Sequence, residues 1–139
     1  MKPSARFIDT NVLLYLLSAD EARADRAEAT LAGSGIVSVQ VLNEFASVAS
    51  RKLGMSIGEI RETLTTVRAV CSVVPLSEET HDLGLQIVEK YGMSIYDAMV
   101  VAAALLAGCD ELLSEDLQDG QIIERRLRIR NPFSGSTDG

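Results

Sequence analysis

The sequence predicts an α/β fold of three layers, with helices on both faces of a central parallel sheet of four to five strands. Three observations predict it. Short apolar runs rich in Val, Ile and Leu alternate with longer helical stretches along the chain, the pattern of parallel strands joined by crossover helices. The length of 139 residues and the 47% apolar content suffice for one core. Neither an internal repeat nor a linker divides the chain. One domain is therefore expected over residues 1–133, with residues 134–139 as a flexible polar tail.

The elements follow in order. Residues 5–8 read as a strand, after which Asn11 can cap a helix over residues 12–17. Residues 20–32, rich in Ala, Glu and Arg, form a second helix that Gly33-Ser34-Gly35 breaks. Ile36-Val37-Ser38-Val39 is a second strand. The helix after it runs to Leu53, with Val41, Leu42, Phe45, Val48, Ala49 and Leu53 on one stripe. Ser56 and Glu59 have the spacing of a capping box. Ser72-Val73-Val74 is a third strand. Ser77 caps a helix that stops at Gly92, and Glu78 and Glu79 favour its first turn. Residues 95–107 are apolar nearly all round, which predicts a central buried helix. Glu111-Leu112-Leu113 is a fourth strand and Leu127-Arg128-Ile129 a short fifth.

A net charge of −7 argues against a basic surface that coats nucleic acid. It leaves a nuclease open, because a bound metal supplies positive charge where a phosphate sits. Cys71 and Cys109 lie in apolar stretches and read as buried free thiols of a reducing compartment. No signal-peptide core precedes the first strand, and the longest apolar run is too short to span a bilayer. A cytoplasmic protein is expected.

Four acids, Asp9, Glu44, Asp97 and Asp116, are far apart in sequence. A parallel α/β fold can converge them, because such sheets bind ligands outside the carboxyl ends of their strands. Two unit charges about 4 Å apart repel by roughly 4 kcal/mol at an effective dielectric of 20. A divalent cation reverses that penalty, so the pattern predicts a metal site. Asp9 directly follows a strand and could itself be a helix cap, unless Asn11 takes that role and leaves Asp9 facing the crevice. Asp97 is the one charged residue between Lys90 and Asp110; it could belong to a capping box with Ser94. Glu44 borders an apolar stripe, where a solvated flank residue is also common. Spacing does not decide which of Glu115, Asp116 and Asp119 faces inward.

The remaining chemistry is sparse. His81 is the single histidine and no paired-cysteine motif exists, which disfavours zinc. No Ser/His/Asp or Cys/His spacing and no glycine-rich phosphate loop is present. Arg125, Arg126, Arg128 and Arg130 crowd the C-terminal segment. They fit a charge-protected edge strand, or else a rim that contacts phosphates.

Five segments together resemble PIN-domain nucleases, and more closely the VapC-type toxin ribonucleases of toxin–antitoxin pairs. They are Phe7-Ile8-Asp9-Thr10-Asn11-Val12-Leu13, Val41-Leu42-Asn43-Glu44-Phe45, Ile95-Tyr96-Asp97 with the apolar run to Ala104, Leu112-Leu113-Ser114-Glu115-Asp116-Leu117, and Asn131-Pro132-Phe133. The resemblance covers Phe7 to Phe133. It implies a parallel sheet between helices and Mg²⁺ or Mn²⁺ held by the acids at Asp9, Asp97 and Asp116, with Glu44 as a fourth catalytic acid. It also implies polar support from Thr10, Asn11 and Ser114, with Asp119 near a further acid found in some members. RNA as substrate, a cognate antitoxin and a homodimer are likewise implied. Two other classes compete. A Mg-dependent phosphoryl-transfer or receiver-type domain also gathers acids on such a sheet, but its second Asp would stand at Asn11, or its acceptor Asp at the end of Ser72-Val73-Val74. A non-catalytic binding module of the same fold would tolerate loss of the acids, yet all four are present.

Overall fold

The computed structural model describes residues 5–33 and 35–133. The tail expected at residues 134–139 lies outside them. Strand β1 (Arg6–Ile8) leads into helix α1 (Thr10–Leu14), which tightens into a 3₁₀ turn at Tyr15–Leu17. Then come α2 (Glu21–Ala32), β2 (Gly35–Ser38), α3 (Val39–Leu53), α4 (Ile57–Val70) and β3 (Cys71–Val74). The second half holds α5 (Glu78–Tyr91), α6 (Ile95–Leu106), β4 (Glu111–Leu113), β5 (Ile122–Ile123) and β6 (Leu127–Arg130).

The strands form one six-stranded sheet in the order β3-β2-β1-β4-β6-β5. Five are parallel, and β5 runs antiparallel to β6 at the edge. The chain moves outward from β1 to β3 and then crosses back to place β4 on the other side of β1. Right-handed crossovers consequently put α1–α4 and α5–α6 on opposite faces. The reversal of strand order leaves a crevice beyond the carboxyl ends of β1 and β4. Phe7 pairs with Leu112 and Ile8 with Leu113 in register there.

Local chemistry explains the boundaries. Ser56 and Glu59 make the expected capping box, with bonds of 2.9 and 3.1 Å. Ser77 makes another with Thr80. Gly54 and Gly92 end α3 and α5 with φ of 65° and 74°, values that disfavour residues with a Cβ. Helix α6 is the buried centre, with Ala98, Val101, Ala102 and Ala104 fully covered. Phe7, Val37, Phe45, Leu112 and Ile129 complete a continuous core. Cys71 and Cys109 are buried and free. Among the described residues no helix is long and apolar enough to cross a membrane.

Four expectations are corrected. Asn11 does not cap α1; Asp9 does, accepting from the Thr10 N–H. The helix foreseen over residues 12–17 is α-helical only to Leu14. Val39 opens α3 rather than ending β2, because the Ser38 hydroxyl caps that helix. The sheet has a sixth strand, β5, which no pattern announced. Its turn to β6 places Glu124 and Arg125 at φ of 52° and 58° without a glycine. Tyr91 and Lys90 hold Glu124 in that conformation from α5.

Candidate functional site

Asp9 lies at the carboxyl end of β1, and its N–H still donates to Leu113 of β4 at 3.0 Å. Its buried carboxylate accepts from the Thr10 N–H at 2.8 Å, the Ser114 hydroxyl at 2.8 Å and the Asn11 side-chain amide at 3.2 Å. Asn11 also donates to Ser114 Oγ at 3.3 Å. Thr10, Asn11 and Ser114 therefore gather around Asp9. Ser114 follows β4, so its contact with Asp9 spans 105 residues of sequence.

Burial pushes the Asp9 carboxyl up to about 6. The bonds from Ser114 and Thr10 oppose that rise, while the negative charges of Glu44 and Asp116 add to it. Among the described residues no Arg or Lys forms an ion pair with Asp9. A buried acid with other acids near it and no cationic partner is a poor structural element and a fitting ligand for a hard cation.

The other acids are held differently. Glu44 on α3 is half-buried, accepting from Thr10 Oγ1 at 3.4 Å and from Gln40 Nε2 at 2.8 Å. Gln40 Nε2 also reaches the Tyr96 carbonyl at 3.1 Å, tying α3 to the first turn of α6. Asp97 is the next residue. It is half-buried, and its N–H donates to the Ser94 hydroxyl at 3.2 Å. The Ser94 cap exists, but the reciprocal bond of a capping box is absent. Asp116 is exposed, and its N–H donates to Ser114 Oγ at 3.2 Å. Among the described residues no three acidic, His or Cys side chains are clustered closely enough to hold a metal ion together. The site as folded joins Asp9 to Glu44 and Asp116 electrostatically, and Gln40 links Glu44 to the helix turn that carries Asp97.

The three acids of the β4 loop now separate. Glu115 accepts from Tyr15 Oη at 2.6 Å and from Arg23 at 2.8 Å. Asp119 accepts from the Asn131 N–H at 2.9 Å. The negative charge of Asp116 is among those that raise Asp9. Arg130 pairs with Glu111 at 2.9 Å, and Arg126 donates to the Leu105 carbonyl at 2.6 Å, so half of the C-terminal arginine cluster is structural. Sequence reasoning missed Gln40, Tyr15 and Arg23. Gln40 was the most accessible of these, being one helical turn before Glu44.

The surface carries two depressions, one of them beside the site. One of about 350 Å³ opens beside Asn11, Tyr15 and Glu115, with Val48 and Lys52 on its wall. The other, about 620 Å³, runs between α2 and α4, with Leu17, Leu31 and Val67 inside and Glu28, Glu59 and Glu62 among its walls.

The fold and site define a class: a parallel α/β domain with a buried acid at the switch point of its sheet. The PIN domain family model matches residues 6–118, so the chain belongs to the PIN domain family. No curated protein matches it by sequence. Among solved structures it is similar to a chain of a toxin–antitoxin complex from Klebsiella pneumoniae, at 21% identity and a TM-score of 0.69, over 94% of this chain and 98% of that one. VapC20 of Mycobacterium tuberculosis, a toxin that cleaves the sarcin–ricin loop, aligns at 19% identity and a TM-score of 0.69, over 88% and 99% of the two chains. VapBC2 of Rickettsia felis, bound to a promoter DNA fragment, aligns at 16% identity and a TM-score of 0.65, over 91% and 98%. At these identities the common property is the fold.

Proposed function

We propose that this protein is a metal-dependent endoribonuclease and the toxin of a toxin–antitoxin pair. The observation that carries the reading is Asp9: a buried carboxylate pushed up to about 6, with no cationic partner among the described residues, at the switch point of a PIN domain. The donor set is all oxygen, which suits Mg²⁺ or Mn²⁺. Asp9, Asp97 and Asp116, not clustered as the side chains now stand, would have to close together to hold the metal. When bound, the metal supplies Lewis-acid activation of the phosphodiester and lowers the pKa of water. Glu44, oriented by Thr10 and Gln40, aligns the attacking water and takes up its proton. Thr10, Asn11 and Ser114 fix the rotamer of Asp9. Asp119 supports the loop after Asp116 through Asn131.

The antitoxin belongs to the same proposal. The groove between α2 and α4 is apolar within and bordered by three glutamates, which suits a basic amphipathic segment of a partner. A homodimer is proposed as well, supported by apolar side chains left in solvent at Leu76, Leu85 and Tyr96. Light scattering checks the dimer.

The nuclease reading is tested by incubating the purified protein with total RNA and Mg²⁺ and mapping the cleaved ends. Cleavage should stop with EDTA and return with Mn²⁺. Asp97→Asn should reduce it by on the order of 100-fold or more while the circular dichroism spectrum stays parental. Cleavage by Asp97→Asn at the parental rate would remove Asp97 from the ligand set. Parental cleavage in EDTA would end the metal-dependent mechanism.

A further inference from the structure

Glu115 looks like a spare acid beside the site, but its bonds give it a different task. Its carboxylate is engaged at both oxygens, by Tyr15 Oη at 2.6 Å and by Arg23 at 2.8 Å. Arg23 in turn lies over two aromatic rings, 4.9 Å from the centre of Tyr15 and 5.5 Å from that of Phe133. The rings themselves pack at 4.5 Å with a tilt of 60°. Such a guanidinium is fixed by stacking as well as by charge. The carboxylate is therefore anchored from the 3₁₀ turn and from α2 at once.

The other end of Glu115 points at the site. Its N–H donates to Asn11 Oδ1 at 2.9 Å. That bond decides which way the Asn11 amide faces, because the oxygen must meet the donor. The amide nitrogen is thereby turned to Asp9 Oδ2 and Ser114 Oγ. An unbroken path of bonds runs from Arg23 through Glu115 and Asn11 to Asp9.

We infer that Glu115 is a positioning residue: Arg23 and Tyr15 lock it, and through its backbone N–H it fixes the Asn11 amide that aims the Asp9 carboxylate at the metal. It is not a ligand. This rests on the nuclease reading above. Partners of a ligand carboxylate typically govern 10- to 100-fold in metal affinity or activity.

The test is Mn²⁺ binding by isothermal titration to the full chain and to Arg23→Ala, Glu115→Ala, Glu115→Gln and Tyr15→Phe, with RNA cleavage measured beside it. Arg23→Ala and Glu115→Ala should each weaken Mn²⁺ binding by about 10-fold, lower kcat and leave the KM for RNA unchanged. The Asn11 side-chain amide resonances should shift in both. Glu115→Gln keeps an acceptor for Tyr15 but not for Arg23, and should recover part of the affinity lost in Glu115→Ala. Tyr15→Phe removes only the hydroxyl and gives a milder loss in the same direction, which keeps the test open should Arg23→Ala not fold. Unchanged Mn²⁺ affinity in these variants overturns the inference. So does tighter binding in Arg23→Ala, since that would make Glu115 a ligand held back by Arg23. A parental protein that neither binds Mn²⁺ nor cuts RNA overturns the nuclease reading and this inference together, whereas a parent that does both isolates the fault to Glu115.

Discussion

Replacing Asp9 by asparagine keeps the shape of the side chain and removes its charge. In the folded protein burial raises this carboxyl from 3.8 to about 6, so the native state holds the proton more tightly than the unfolded chain does. The contribution to stability is then fully present below pH 4 and is lost as the pH rises to about 6. The full loss is about 3 kcal/mol, at roughly 1.4 kcal/mol for each tenfold change. Asparagine escapes that loss. It gives up about 1 kcal/mol, because its amide cannot accept from both the Thr10 N–H and the Asn11 amide. The stability difference should therefore swing toward Asp9→Asn by about 2–3 kcal/mol between pH 4 and pH 7.5. Glu59 and Glu124, whose carboxyls are held below their ordinary range by Ser56 and by Lys90 and Tyr91, titrate in both proteins and cancel. The assay is urea unfolding by circular dichroism in EDTA at the two pH values. Mn²⁺ at about 100 times its Kd should then add roughly 2.7 kcal/mol to the parent and nothing to the variant. Unfolding curves that keep a constant separation across this pH range would refute the argument.

Three further outcomes are expected. Phe45→Ala, at a fully buried site on α3, should cost about 3–5 kcal/mol in urea unfolding. Ser56→Ala, which breaks the capping box of α4, should cost about 1 kcal/mol in the same assay. Lys52→Glu, on the wall of the depression beside Asn11 and Glu115, should raise the KM for RNA several-fold with kcat unchanged. That effect should fade at high salt.

The layers of the fold were legible because periodicity and capping are local. The Ser56–Glu59 box, the Gly92 stop and the all-apolar run of α6 depend on residues within a few positions of one another. Strand β5 was not legible, because its turn carries Glu124 and Arg125 where a glycine or asparagine would have announced it. The conformation there is imposed from α5 by Tyr91 and Lys90, more than thirty residues away. The same division runs through the site. Thr10, Asn11 and Ser114 were all named through the family resemblance; the residues alone offered Asn11 only as a helix cap. The locking of Glu115 by Arg23 is 92 residues long-range and left no trace in spacing. Asp9 as both cap and site residue was weighed as an either–or choice. The two are compatible in one carboxylate, since its Oδ1 takes the Thr10 N–H while Oδ2 meets Ser114 and Asn11.

The pairing of β1 with β4 has a consequence for biosynthesis. Asp9 is made early, while Ser114 and the strand it follows come 105 residues later. A nascent chain that ends before Glu111 carries Asp9, Glu44 and Asp97 but has no neighbour for that edge of β1 and no Ser114 hydroxyl to donate to Asp9. On the reading proposed above, ribosomes translating this message are shielded from its product by topology alone. The danger begins only when the last strands emerge, which sets the moment by which a neutralising partner must already be at hand.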